Sequence, residues 1–196
     1  MSLNLGIFGG TFNPVHIGHL IIAEYVFSEF ILDKIVFVPA YIPPHKSTEK
    51  ITSAQHRLNM LKIALKNNKN FVYSEFEINQ KTKSYTINTL KNFYNKNHKL
   101  FLIIGDEWLN EFNTWYQYTK IFDYADLIVV RRTLLKPKIP GFLKKFKNQI
   151  HFSHNPLIEI SSSMIRERLS QNKSVKYMLQ DKVLKYIQKR KLYGTG

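Results

Sequence analysis

The stretch Gly9-Gly10-Thr11-Phe12-Asn13-Pro14-Val15-His16-Ile17-Gly18-His19-Leu20 constrains this chain most. The apolar run before it, Leu3 to Phe8, reads as a buried strand. The run after it, Leu20 to Phe27, reads as a buried helix. A strand, a glycine-containing turn and a helix make the first half of a nucleotide-binding βαβ unit. The adjacent Gly9 and Gly10 let the backbone bend tightly and approach a ligand closely. N–H groups at the start of the helix favour a phosphate there.

The histidines sharpen this reading. His16 and His19 are three apart, so on a helical turn they share a face. Gly18 between them leaves room where a flat base can pack. Imidazole donates to a phosphate oxygen whether neutral or charged. Two such donors suit a phosphate whose charge is redistributed during displacement. A helix cap, a solvated histidine or half a metal site are the alternatives. A metal site wants a third ligand in a recognisable place, and the chain has no cysteine to supply one. Gly-Gly-Thr-Phe, Asn-Pro and His-x-Gly-His in one short stretch put phosphate binding ahead.

This stretch resembles the first motif of the nucleotidyltransferase superfamily of adenylyltransferases, which shares His-x-Gly-His with class I aminoacyl-tRNA synthetases. The superfamily usually has Asp where Asn13 stands. Asn keeps the turn-forming, hydrogen-bonding geometry.

Composition sets the outer bounds. A chain of 196 residues suits one domain with a real core, and 44% hydrophobic and 14% aromatic residues mark it as globular. No apolar run is long enough to span a membrane. The start lacks the basic lead and cleavage site of a signal peptide. With no cysteine, this fits a cytoplasmic protein. The net charge of +15 comes from lysines scattered among asparagines. Most read as solvated face and a few as lining an anionic pocket, so no nucleic-acid partner is expected.

Along the chain, residues 32 to 39 read as a second strand that completes the βαβ unit. The loop Pro43-Pro44-His45-Lys46 follows. Lys46 lies just beyond the C-terminal end of a parallel strand, where open α/β sheets bind ligands. By itself it is an ordinary exposed lysine. Thr52 to Lys66 reads as a helix whose Arg57 either reaches the site or is solvated. Phe71 to Phe76 reads as a strand. Ser84-Tyr85-Thr86 opens another helix with Ser84 or Thr86 as cap, and amides there can receive a carboxylate.

The strand Lys99 to Ile104 ends at Gly105-Asp106-Glu107-Trp108. A carboxylate there would accept from ribose hydroxyls, or Asp106 would cap a helix. Trp115 follows, and tryptophan is more often core than ligand platform. Asp126 to Val130 is a fifth strand. It ends at Arg131-Arg132, which suits a phosphate, a base edge or a surface salt bridge. A basic, proline-bounded insertion covers Pro137 to Lys147, and Ile150 to Phe152 is the last strand. Ile160-Ser161-Ser162-Ser163-Met164-Ile165-Arg166 then gathers hydroxyls, helix-start amides and a guanidinium, a set suited to the β- and γ-phosphates of ATP. Asp181 to Arg190 forms a final helix.

The serine segment resembles the superfamily's second motif, Ile-Ser-Ser-Thr-x-Ile-Arg. Within the superfamily, Pro-Pro-His-Lys, Ser-Tyr-Thr and Trp115 resemble bacterial nicotinate-nucleotide adenylyltransferases. The resemblance implies a Rossmann-like, doubly wound, mainly parallel sheet in a single domain, with a small helical C-terminal part from about residue 161. It implies transfer of the adenylyl group of ATP to nicotinate mononucleotide, with Mg2+ travelling on ATP and no metal held by the protein.

On that resemblance His16, His19, Lys46 and Arg166 would act on the phosphates. Gly9, Gly10, Thr11, Phe12, Gly18, Gly105, Glu107, Ile160, Ser161 and Ser162 would complete the ATP site. Asn13, Lys46, Ser84, Tyr85, Thr86, Trp115 and Arg132 would hold nicotinate mononucleotide, with Trp115 stacked on the pyridine ring and Trp108 in the core. The family carries Gly-x-Asp where this chain has Gly105-Asp106-Glu107, so either acid could hold the ribose. Nicotinamide mononucleotide or phosphopantetheine remains as a rival acceptor. A nucleic-acid-binding relative of a synthetase domain is the rival from another class. A homo-oligomer is compatible with everything in the sequence.

Overall fold

Near-continuous apolar runs are what strands need when both faces of a sheet are covered. In the computed structural model, which describes residues 2–44, 51–134 and 137–195, six such runs pair side by side. They are β1 (Leu3–Gly10), β2 (Lys34–Pro39), β3 (Phe71–Tyr73), β4 (His98–Gly105), β5 (Ala125–Val130) and β6 (Ile150–Phe152). All pairings are parallel, in the order β3-β2-β1-β4-β5-β6. The register sets Ile7 opposite Val36 on one side and Leu102 on the other.

Alternation along the strands divides the core in two. Phe8, Phe37, Phe101, Ile103 and Ile128 face one side, where they meet α1 (Ile17–Glu29), α2 (Ala54–Leu65), α6 (Ser162–Ser170) and α7 (Asp181–Lys189). Ile7, Val38, Leu102, Ile104 and Val129 face the other. There they meet α4 (Thr86–Phe93), α5 (Tyr118–Ile121) and two 3-10 segments, Asp106–Thr114 and Gly141–Gln149. This is the doubly wound, Rossmann-like sheet expected from the sequence. Strand order reverses beside β1, because β2 and β4 flank it. The crevice above β1 and β4 is therefore where a ligand can enter between diverging connections.

Two element boundaries differ from the periodicity. The helix expected from Leu20 begins at Ile17, so Gly18 and His19 are already helical. The strand expected to run to Phe76 stops at Tyr73. The Ser74 hydroxyl accepts from the Phe76 N–H at 3.2 Å, and the chain turns into the short α3 (Phe76–Gln80). Beyond the sheet, α7 docks on α2 through the Tyr186 hydroxyl, 2.8 Å from His56 Nδ1 and 3.0 Å from Asn59 Nδ2.

Candidate active site

A cavity of about 440 Å³ opens over the C-terminal ends of β1, β4 and β5. Its floor begins with Gly9 and Gly10. The tight bend read into these glycines belongs instead to Phe12, whose φ of 49° is the left-handed one; neither Gly9 nor Gly10 has a positive φ. The two glycines serve different neighbours. A β-carbon on Gly9 would meet nothing within 4 Å, so that face is open to the cavity. One on Gly10 would press the Phe12 ring at 3.0 Å. Gly10 is thus required by packing, and Gly9 leaves space for a ligand.

His16 is the N-cap residue of α1, and His19 sits in its first turn. Their ring centroids are 3.7 Å apart. His19 Nδ1 accepts from the His16 backbone N–H at 3.2 Å. That bond puts the proton of a neutral His19 on Nε2, making Nε2 a donor. His16 is only 3% exposed. Burial, aided by the Arg132 charge, pushes its pKa down to about 3. His16 is therefore a neutral donor at physiological pH, and Arg132 and Arg166 bring positive charge to the site. The room expected beside Gly18 for a base is filled. A β-carbon there would lie 3.0 Å from His16 Nδ1 and 3.2 Å from Ile158 Cγ2, and Gly18 does not line the cavity.

The serine segment meets the cavity through Ser161, Ser162, Ser163 and Arg166. The expectation that its hydroxyls stand free is corrected. Ser161 Oγ caps α6 by accepting from the Met164 N–H, Ser162 Oγ donates to the Pro14 carbonyl at 2.8 Å, and Ser163 Oγ accepts from Arg166 Nη2. The Ser162 and Ser163 amides precede the first intrahelical bond and remain the donors for a phosphate. Arg166 Nη1 donates to the Asn13 carbonyl at 2.8 Å, which seats the guanidinium at the cavity edge. Ile160 packs against the core instead of lining the cavity.

The structure separates the two acids after β4. Asp106 is buried and turned away from the cavity. Its carboxylate accepts from the Arg132 N–H at 3.0 Å and from the Thr133 N–H and hydroxyl at 3.2 and 2.9 Å. It is a staple for the loop after β5. Glu107 lines the cavity with its carboxylate folded over Gly105, so of the two acids Glu107 is the one that faces it. The arginines after β5 part in the same way. Arg131 is exposed, and its backbone is gripped by the buried Asn155, whereas the Arg132 side chain joins the cavity near His16.

The far end of the cavity is aromatic, with Tyr85, Trp108, Trp115 and Tyr116 in its wall. Trp115 is half-buried, 5.0 Å from Phe112 and 6.0 Å from Trp108, centroid to centroid. Trp108, expected in the core, shares the wall with it. Neither Ser84 nor Thr86 caps α4: Tyr85 holds that position without a side-chain bond. The Ser84 amide donates to the Ile42 carbonyl and the Tyr85 amide to that of Lys83. The amides left for a carboxylate are therefore those of Thr86 and Ile87, one step further along than the sequence suggests.

Arg57 and Glu77 carry more of the site than the sequence reading assigned them, while Asn13 is tied to the rest of the protein. Arg57 is 1% exposed. Its guanidinium donates to three carbonyls from separate segments: Thr52 at 2.9 Å, Thr11 at 2.8 Å and Tyr41 at 3.1 Å. A cation buried this way must have its hydrogen bonds satisfied. Its spacing with Leu61 and Leu65 is the sequence signal that separates the inward face of α2 from the solvated one, and the structure puts it inward. Asn13, 3% exposed, turns its side-chain oxygen toward the Thr52 N–H and the Tyr193 hydroxyl. Glu77 lies in the wall beside Ser84, and nothing in its local sequence marks it.

Lys46 lies outside the described residues. Among the described residues, no group of three or more His, Asp or Glu converges as a metal site. Among those residues no helix is long and apolar enough to cross a membrane.

Comparison with known proteins agrees with this geometry. Residues 7–168 match the cytidylyltransferase-like family. The chain is 40% identical to a probable nicotinate-nucleotide adenylyltransferase of Caldicellulosiruptor saccharolyticus, over 97% of this chain and 99% of that one. It is 39% identical to the nicotinate-nucleotide adenylyltransferase of Bacillus subtilis, over 97% and 98%. In fold it resembles the Plasmodium falciparum nicotinic acid mononucleotide adenylyltransferase complexed with NaAD, with a TM-score of 0.80 at 21% identity over 99% and 98% of the two chains. A His-x-Gly-His loop at the strand-order reversal, carried on a sequence this similar over 97% of its length, makes the chain a member of the nicotinate-nucleotide adenylyltransferase family within the cytidylyltransferase-like proteins.

Proposed function

We infer that the chain transfers the adenylyl group of ATP to nicotinate mononucleotide, giving deamido-NAD and pyrophosphate in NAD biosynthesis. The observation that carries this is one cavity with two ends. One end gathers His16, His19, Arg132, Arg166 and the start of α6. The other offers an aromatic wall and the start of α4.

In the reaction, a phosphate oxygen of the mononucleotide forms a bond to the α-phosphorus of ATP as the bond to the β-phosphate oxygen breaks. The nucleophile is already an anion, so no general base is needed. What the protein must do is align two anions and offset their repulsion. Neutral His16 and the Nε2–H of His19 would donate to α-phosphate oxygens as they gain charge. Arg166 and the Ser162 and Ser163 amides would receive the departing pyrophosphate. Arg132, and Lys46 by resemblance, would neutralise the attacking phosphate. Glu107 would accept from the ribose. The donors at the phosphate end are nitrogens, and Asp106 is fully occupied, so the set suits Mg2+-ATP as substrate better than a metal held by side chains. Such an enzyme would work in the cytoplasm.

At the far end, the Thr86 and Ile87 amides can donate to both oxygens of a nicotinate carboxylate. With nicotinamide they would face an NH2 group, which leaves donors opposed. Pyrophosphate release from ATP, measured with nicotinate mononucleotide, nicotinamide mononucleotide and phosphopantetheine in turn, tests the reading. The expected outcome is at least about a tenfold preference in kcat/KM for the nicotinate form, which needs about 1.4 kcal/mol. Equal values for the two pyridine nucleotides, or use of phosphopantetheine alone, reject it.

A further inference from the structure

The wall that would receive the nicotinate carboxylate contains a buried carboxyl group of the protein itself, Glu77. It sits on α3 and separates the main cavity from a smaller one of about 200 Å³ bordered by Lys83, Ser84 and Thr89. An ionisable acid beside an anionic substrate is a liability unless it does something else there.

Its contacts indicate what that is. The carboxylate accepts from the hydroxyl of Thr89, which is buried inside α4, and from the hydroxyl of Ser84, just before that helix. One side chain thus holds α4 on both sides of its first turn. The Ser84 oxygen also accepts from the Tyr41 N–H at 2.9 Å, and Arg57 Nη2 holds the Tyr41 carbonyl. The chain of bonds ends at Thr11, which Arg57 also holds, so the two ends of the cavity share one buried scaffold. Burial raises the Glu77 pKa, while the Thr89 and Ser84 bonds and the Arg57 charge act in the opposite direction.

We propose that Glu77 is a positioning residue for acceptor choice: by fixing Ser84 and Thr89 it aims the Thr86 and Ile87 amides at the substrate's carboxylate. This rests on the acceptor reading above. Glu77 need not touch substrate. Its effect is on where two donors point, and geometry of that kind separates an acid from an amide more than it changes overall binding.

The test is steady-state kinetics on Glu77→Gln with both pyridine mononucleotides. Glutamine keeps the shape but exchanges one acceptor oxygen for a donor, so one of the two hydroxyls must turn from donor to acceptor or lose its bond, which shifts the start of α4. The KM for nicotinate mononucleotide should rise by about tenfold and the preference over the nicotinamide form should fall by a similar factor, on the scale of one hydrogen bond to a charged group. The KM for ATP should stay within about twofold. Thr89→Val, which removes a single hydroxyl, supplies the same readout if Glu77→Gln does not fold. Variants that keep the wild-type preference, or whose two KM values rise together with a lower Tm, overturn the proposal. If the wild-type protein itself shows no preference for nicotinate mononucleotide, the acceptor reading and the role of Glu77 fail together, whereas a wild-type preference that survives Glu77→Gln overturns the role of Glu77 alone.

Discussion

The phenolic hydroxyl of Tyr193 donates to Asn13 Oδ1 at 2.8 Å, across 180 residues of chain. The same oxygen accepts from the Thr52 N–H at 3.2 Å, and the Asn13 carbonyl accepts from Arg166. The last turn of the protein is thereby tied to the loop that carries the histidines. Burial raises the Tyr193 pKa to about 12, against the Thr52 bond and the Arg166 and Arg57 charges, so the phenol remains a donor at any working pH. Tyr193→Phe should cost about 1 kcal/mol of stability. Because the Asn13 peptide seats Arg166, kcat/KM for ATP should fall roughly fivefold, on the scale of that bond. A lower Tm with unchanged ATP kinetics would limit Tyr193 to packing.

His16 gives a prediction about pH. Its pKa is about 3 in the folded protein, against 6.5 for a free imidazole side chain. The unfolded chain therefore binds a proton first as pH falls. The stability contributed by neutral His16 is complete above pH 6.5 and is lost as pH falls toward 3. At about 1.4 kcal/mol per pH unit the loss is roughly 5 kcal/mol at most. His16→Gln, which cannot take up a proton, should flatten this limb in denaturant titrations between those pH values. An acid limb identical to wild type would mean that His16 titrates normally.

Gly9 and Gly10 should separate folding from binding. Gly9→Ala adds a methyl where the protein has open space, so its Tm should match wild type while the KM for ATP rises, because the methyl points into the cavity. Gly10→Ala forces the Phe12 ring to move and should cost about 1–3 kcal/mol. Thermal melts and ATP kinetics on both variants check this. Equal loss of stability in the two would contradict the assignment.

Asp106 and Glu107 should differ in the same manner. Asp106→Ala removes the buried acceptor for the Arg132 amide and for the Thr133 N–H and hydroxyl, and should lower stability by about 1–3 kcal/mol. Glu107→Gln should leave Tm near wild type and raise the KM for ATP. A normal KM in Glu107→Gln would remove it from the ribose.

The sheet was legible because its information is local. Six apolar runs of strand length, two glycines and a His-x-Gly-His at a helix start specify the elements whatever surrounds them. The same local information identified His16, His19 and Arg166 as candidates for phosphate, the family resemblance added Trp115, and all four line the cavity. Residue type and spacing carry that signal without reference to distant contacts.

What the sequence by itself determined, then, was the doubly wound sheet and the edge of it that the cavity opens over. Tertiary structure alone decided which polar atoms are spent inside the protein. Asn13 looks like a ligand residue, yet its oxygen is taken by Thr52 and Tyr193. Asp106 looks equal to Glu107, yet its carboxylate is filled by the loop after β5. Arg57 reads as either a site residue or a solvated cation, yet the Thr11, Tyr41 and Thr52 carbonyls surround it. The physical reason is common to all three. A hydrogen-bonding group is available to a ligand only if no other part of the chain reaches it first, and long-range packing settles that competition.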